Sequence, residues 1–156
     1  ILNSQLKDYR IGLLTIMIRR SALNKMNKIM NPDYHIIGDF DLVIRLLAKN
    51  KFDYIHEPLA YYRLHTNNET NKKRINQADE LNRWISDKNL EKKIRNSKNL
   101  KFVKNKINYI LAMDRILDSD RINSYRYVKN ISISYLKLKI LIAIVMPNLI
   151  LKKIKN

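Results

Sequence analysis

The sequence predicts an α/β fold over the first 68 residues, followed by an α-helical C-terminal region. Two observations indicate strands in the first part: a nearly continuous apolar run over Ile11–Ile18, and a segment rich in β-forming residues over Leu59–His65. A third observation is the change of pattern after Thr66, where apolar residues begin to recur with the period of a helix. We therefore divide the chain into two predicted domains, residues 1–68 and residues 69–156.

The first predicted domain contains three strands and one buried helix. The strands are expected at Ile11–Ile18, Phe52–His56 and Leu59–His65, as members of one sheet. Gly38 introduces a helix over about Asp39–Lys49 that is apolar nearly all round, a pattern typical of a helix buried on several sides. This helix is expected to pack against the sheet.

The second predicted domain is helical and basic. Its periodicity predicts helices over roughly Ile75–Ile94, Leu100–Leu117 and Arg121–Lys129. The run Asp118-Ser119-Asp120, between the last two helices, has the spacing of a metal-binding carboxylate pair. A turn explains it better, because it lies between two polar helices.

Composition excludes several classes of site. The chain has no cysteine, which excludes disulfides, thiolate zinc sites and cysteine nucleophiles. It has two glycines, too few for a glycine-rich phosphate-binding loop. The net charge is +17, and residues 68–156 carry twenty-one basic and eight acidic side chains. Such an excess favours an anionic partner: nucleic acid, phospholipid head groups or a diphosphate; abundant lysine from AT-rich coding is the alternative.

The C-terminal segment has two possible roles. Ile140–Leu151 is an uncharged run of 12 residues flanked by lysines on both sides. A membrane span needs about 20 apolar residues, so the run is too short to cross a bilayer. It fits either an interfacial helix on an anionic membrane or an ordinary terminal helix packed on the domain.

Two carboxylates at the start of the buried helix are candidates for chemistry. Asp39 is either a helix cap or, held near an apolar wall, a general base. Asp41 precedes Arg45 by four residues, which is the spacing of an intrahelical ion pair. Farther along, Arg63 and His65 are expected to share one face of a strand, where they form a plausible clamp for a diphosphate. A lone histidine at such a position is otherwise most often a surface residue.

Three segments, in this order, carry a family resemblance: Thr15–Leu23 (TIMIRRSAL), Gly38–Leu46 (GDFDLVIRL) and Tyr54–His65 (YIHEPLAYYRLH). Together they make residues 10–70, about 40% of the chain, similar to the C-terminal half of a family 2 glycosyltransferase catalytic domain. That domain is of the GT-A type, so the resemblance implies a partial, Rossmann-like half. It also implies inverting transfer of a sugar from a nucleotide-diphosphate donor to an acceptor hydroxyl.

The resemblance implies a role for each matched residue. Asp39 corresponds to the catalytic base, and Asp41 and Arg45 to positions that organise the helix and the acceptor side. Arg63 and His65 correspond to the segment near the donor diphosphate and a divalent metal, Mg²⁺ or Mn²⁺. The family often has Glu-Asp where this chain has Gly38-Asp39, and it has its metal-binding Asp-x-Asp in a nucleotide-binding half that this chain lacks. We therefore expect a fragment that is inactive alone.

The implied setting is the synthesis of surface polysaccharide or lipid-linked glycan, at the inner face of the cytoplasmic membrane. Two alternatives stay open. The basic C-terminal region, with tyrosines interleaved among its arginines and lysines, could instead bind nucleic acid by base stacking. The chain could also be a catalytically inactive remnant of an enzyme.

Overall fold

The computed structural model describes residues 1–63, 74–147 and 150–151, and the regular elements in these ranges are helical. The helices are α1 (Leu2–Lys7), α2 (Arg20–Leu23), α3 (Gly38–Lys49), α4 (Arg74–Ser86), α5 (Lys92–Arg95), α6 (Leu100–Leu117), α7 (Arg121–Lys129) and α8 (Tyr135–Val145). A 3-10 turn at Leu13–Thr15 lies between α1 and α2.

The predicted α/β fold is wrong: no strand is present in the described part of the chain. Ile11–Ile18 contains the 3-10 turn instead, and neither Phe52–His56 nor residues 59–63 form regular structure. Ile11, Ile16 and Phe52 pack partly against the first apolar cluster, whereas Met17 is 97% exposed and Tyr54 is 68% exposed. The physical reason is that a β-prone segment becomes a strand only when another strand pairs with it, and no described segment does so.

The buried helix is confirmed as α3, although it has no sheet to pack against. Eight of its residues are buried, and α1 and α5 lie against it. The ring of Phe40 meets the edge of Trp84, from α4, with 4.9 Å between ring centroids. Helices thus supply the apolar surroundings that the sequence assigned to a sheet.

The predicted C-terminal helices agree with α4, α6 and α7, with one break. The helix expected over Ile75–Ile94 ends at Ser86, and α5 is a separate short helix. Asp87 forms the break, because its side chain accepts a hydrogen bond from the N–H of Asn89 at 2.9 Å. The Asp118-Ser119-Asp120 turn is also confirmed: Ser119 has a φ of 68°, and the Asp120 side chain caps α7.

Apolar side chains form two clusters. The first joins α1 and α3 to α4, α5 and the first part of α6. The second joins the end of α6 to α7 and α8. The first cluster therefore contains residues from both predicted domains, and the predicted boundary at residues 68 and 69 itself lies outside the described residues.

None of the helices in residues 1–63, 74–147 and 150–151 combines the length and apolarity needed to cross a bilayer. The terminal helix α8 has 11 residues, or roughly 16 Å of length. The hydrocarbon core of a bilayer is about 30 Å thick.

A buried glutamate fixes the start of α3. The Glu80 side chain, on α4, accepts hydrogen bonds from the backbone N–H groups of His35, Ile36 and Ile37 at 2.9–3.0 Å. Consecutive N–H groups that precede a helix have no partner of their own within it, so one carboxylate satisfies three of them. This contact holds the N-terminal end of α3 against α4.

We expect Glu80→Gln to lower the free energy of unfolding by about 1–3 kcal/mol, since an amide presents one acceptor oxygen and no charge to the three N–H groups. Asp79→Asn, at the exposed neighbouring position, is the matched control and should change stability little. Urea unfolding of both variants measures the difference. Equal stabilities would show that Glu80 does not hold the helix start.

Candidate functional site

Asp41 is buried and fully engaged with two neighbouring side chains. One carboxylate oxygen accepts a hydrogen bond from Trp84 Nε1 at 3.0 Å. The other accepts from Arg45 Nε at 3.0 Å and from Arg45 Nη2 at 2.7 Å. The predicted ion pair between Asp41 and Arg45 is confirmed.

Arg45 extends this network to a loop. Its Nη1 donates to the carbonyl oxygen of Lys28 at 2.6 Å, and its Nη2 donates to that of Ile29 at 2.7 Å. The guanidinium therefore joins α3 to the segment that precedes it. Both Asp41 and Arg45 hold helices and loop together through these bonds, and their side-chain polar groups face protein.

Asp39 lies one residue away from this network in a different environment. It is half-buried, and its Oδ1 accepts from the N–H of Phe40 at 2.7 Å. It is not the helix cap, because Ile37 occupies that position. Burial raises the pKa of the Asp39 carboxyl above its ordinary value, while backbone hydrogen bonds and the charge of Lys106 act in the opposite direction.

Two residues that the sequence reasoning missed lie near Asp39. Tyr9 stacks edge-on against Phe40 with 5.3 Å between ring centroids, and its buried hydroxyl has no hydrogen-bond partner among the described residues. Burial raises the pKa of Tyr9, and the negative charge of Asp39 raises it further. Lys106, on α6, has its pKa lowered by burial, against the effect of the negative charges of Asp8 and Asp39.

We call Tyr9, Asp39 and Lys106 the Asp39 cluster. Its members come from the segment just after α1, the start of α3 and the middle of α6, so no local motif could have indicated them. The cluster combines a proton acceptor, an unpaired hydroxyl and a cation. Perturbed groups of this kind gather at functional sites more often than elsewhere.

The structure leaves the predicted donor-side pair untested. Arg63 is exposed at the end of the first described range, and His65 lies outside the described residues. Within the described ranges, no three His, Asp or Glu side chains are grouped so that they could hold a metal ion. The His, Asp and Glu side chains of the described ranges therefore do not form a site that fits the Mg²⁺ or Mn²⁺ that the resemblance implies.

One cleft lies away from the Asp39 cluster. It has a volume of about 900 Å³ and lies at the other end of α3, where Asn50, Lys51 and Lys93 line it. The two ends of this helix are roughly 18 Å apart along its axis. We favour the Asp39 cluster as the candidate site because it combines a half-buried carboxylate whose pKa is raised by burial with a buried, unpaired hydroxyl and a cation.

The stability of the protein should depend on the charge of Asp39. A carboxyl whose pKa is raised on folding loses stability when it ionises, so stability falls as pH rises from 3.8 through the raised pKa. We expect Asp39→Asn to melt at a higher temperature than the original chain at pH 7, with the gain vanishing near about pH 3. Thermal unfolding of both proteins between about pH 3 and pH 7 measures this difference in melting temperature. A loss of stability at both pH values would mean that the carboxylate has a structural role.

Removal of the unpaired hydroxyl should not destabilise the fold. A buried polar group without a partner costs about 1–3 kcal/mol, so Tyr9→Phe should raise the free energy of unfolding by up to about that amount. Tyr109→Phe, at another partly buried tyrosine, serves as the control for the loss of a hydroxyl. A clear loss of stability in Tyr9→Phe alone would show that the Tyr9 hydroxyl is hydrogen-bonded.

No protein-family model, curated protein or solved structure matches this chain. A role for the Asp39 cluster therefore depends on its own geometry and on the resemblance of residues 10–70.

Proposed function

We propose that this chain is the acceptor-side part of a glycosyltransferase, in which Asp39 is the general base. The observation that carries the proposal is the contrast between two carboxylates of one helical turn. Asp41 is committed to Trp84 and Arg45, whereas the Asp39 carboxylate is half-buried and accepts a hydrogen bond from the N–H of Phe40. Asp39 is thus the carboxylate with capacity to accept a proton.

The electrostatic environment of Asp39 supports this role. A general base works best when its pKa lies close to the operating pH, so that it is ionised yet basic enough to take a proton. Burial moves the pKa of Asp39 in that direction. The cation of Lys106 favours the ionised form, which keeps the group available as a base.

The proposed step is a direct displacement. The acceptor hydroxyl transfers its proton to Asp39 while its oxygen forms a bond to the anomeric carbon of the donor sugar. The bond from that carbon to the diphosphate oxygen breaks on the opposite face, which inverts the configuration. Arg63, which is exposed, is proposed to face the departing diphosphate together with His65. The divalent metal expected of the complete enzyme would need ligands outside the described residues.

We infer that the acceptor belongs to a surface polysaccharide or a lipid-linked glycan, and that the enzyme works at the inner face of the cytoplasmic membrane. The net charge of +17 supports this inference, because nucleotide-sugar donors and phospholipid head groups are both anionic. Donor binding would require the nucleotide-binding half that the resemblance implies.

In the enzyme completed by that half, Asp39→Asn should lower turnover by about 10²–10⁴-fold, because removal of a general base has effects of that size. Folding should be retained, since an asparagine side chain has nearly the same size. Asp53→Asn, at an exposed carboxylate, is the matched control and should keep normal turnover. Sugar transfer from a panel of nucleotide-diphosphate sugars to a glycan acceptor measures the rates.

Two outcomes would contradict this assignment. Near-normal sugar transfer by the Asp39→Asn variant would show that Asp39 is not the general base. Loss of transfer in a folded Asp41→Asn variant would move the base to Asp41. We expect the second variant to lose stability instead, by about 3 kcal/mol, because it leaves the Arg45 charge without its partner.

A further inference from the structure

The terminal helix α8 has two apolar faces, and one of them is uncovered. Ile140 and Ala143 are buried in the second cluster. On the other side, Leu138, Leu141, Ile142 and Val145 are 43–81% exposed. These four positions follow the i, i+3, i+4, i+7 spacing of one helical stripe. We call them the outer face of α8.

The outer face belongs to an exposed apolar surface that is larger than the scattered single apolar residues of an ordinary protein surface. Ile133, just before α8, is 99% exposed, and Tyr135 in its first turn is 68% exposed. Contiguous apolar surface of this kind marks a site of interaction with a protein, a ligand or a membrane.

The charge around the helix identifies the partner. Residues 121–147 contain five lysines and arginines and no aspartate or glutamate. Lys139 is exposed on α8 itself, with its amine over the ring of Tyr135 at 4.6 Å. A second copy of the chain would bring the same positive charge to the interface and be repelled. An apolar stripe bordered by lysines is instead complementary to a bilayer surface that contains anionic phospholipid.

We propose that the outer face of α8 lies on the surface of an anionic phospholipid bilayer, with its apolar stripe at the level of the head groups. The inference extends the membrane location given under the proposed function, and it does not depend on the chemistry at Asp39. It also reconciles the two roles predicted for this segment, since one face packs on the protein and the opposite face meets lipid.

Hydrogen bonds at both ends hold α8 in position for this contact. Arg121, on α7, donates to the carbonyl oxygens of Ile144 and Met146, the latter at 2.7 Å. These carbonyls belong to the C-terminal end of α8, where helical carbonyls lack partners within the helix. Lys137 donates to the carbonyl oxygen of Ile131 at 3.1 Å near the other end. The outer face is thus presented by a helix already fixed to the fold.

Sedimentation with vesicles of stated composition tests the proposal. The 156-residue chain should bind vesicles of phosphatidylcholine mixed with phosphatidylglycerol much more tightly than vesicles of phosphatidylcholine alone, and high salt should weaken the binding. The double variant Leu138→Asn with Val145→Asn should bind at least about tenfold more weakly. Met17→Asn with Ile55→Asn, two apolar residues exposed elsewhere, is the matched control and should bind normally.

The contribution of charge has its own pair of variants. Lys139→Gln should weaken binding about fivefold, the size expected for one lysine at an anionic surface. Lys92→Gln, at an exposed position on α5, should bind as the original chain does. Circular dichroism and melting temperature should be unchanged in all four variants, because each changes exposed side chains.

Four results would overturn the proposal. Equal binding to neutral and anionic vesicles would show that charge does not contribute to binding. Normal binding by the Leu138/Val145 variant would show that the outer face of α8 does not contact the bilayer. If the chain formed a dimer that the Leu138/Val145 substitutions disrupt, the outer face would be a contact between two copies of the chain. If the chain bound an oligonucleotide but not vesicles, and the same substitutions abolished that binding, the face would be a nucleic-acid site. Sugar transfer is not measured in these experiments, so their failure and the failure of the proposed function are distinguishable.

Discussion

The buried carboxylate of Asp41 is the contact on which the arrangement of the molecule depends. It accepts hydrogen bonds from Trp84 on α4 and from Arg45 on α3, and Arg45 in turn holds the backbone at Lys28 and Ile29. Burying a carboxylate in an apolar interior costs free energy unless all its hydrogen-bond partners are present. The contacts of Asp41 with Trp84 and Arg45 therefore depend on one another. The network therefore specifies one register between α3, α4 and the loop before α3.

The same network separates the roles of two acidic residues in one helical turn. Because Asp41 is fully used, α3 has a fixed orientation, and that orientation leaves Asp39 half-buried beside Tyr9 and Lys106. In proteins, neighbouring carboxylates in different environments often have different pKa values, so that one has a structural role and the other can transfer protons. The position of the candidate base is thus a consequence of what its neighbour binds.

Sequence patterns were reliable where a structure depends on nearby residues. The burial of α3, the Asp41–Arg45 pair and the boundaries of α6 and α7 all follow from periodicity and spacing within one helix. They failed where the outcome depends on distant partners. Ile11–Ile18 has the composition of a strand but no strand to pair with among the described residues, and Glu80 and Lys106 reach their partners only through the folded core.

The three bonds of Glu80 and the bond from Trp84 to Asp41 have a consequence for the continuity of the chain. They join residues on both sides of residues 64–73 by direct contact, and the first apolar cluster adds to them. Peptide bonds in 64–73 are thus not the only connection between the two sides. A protease cut there would give two fragments that stay associated, and the separated fragments should recombine as a noncovalent complex.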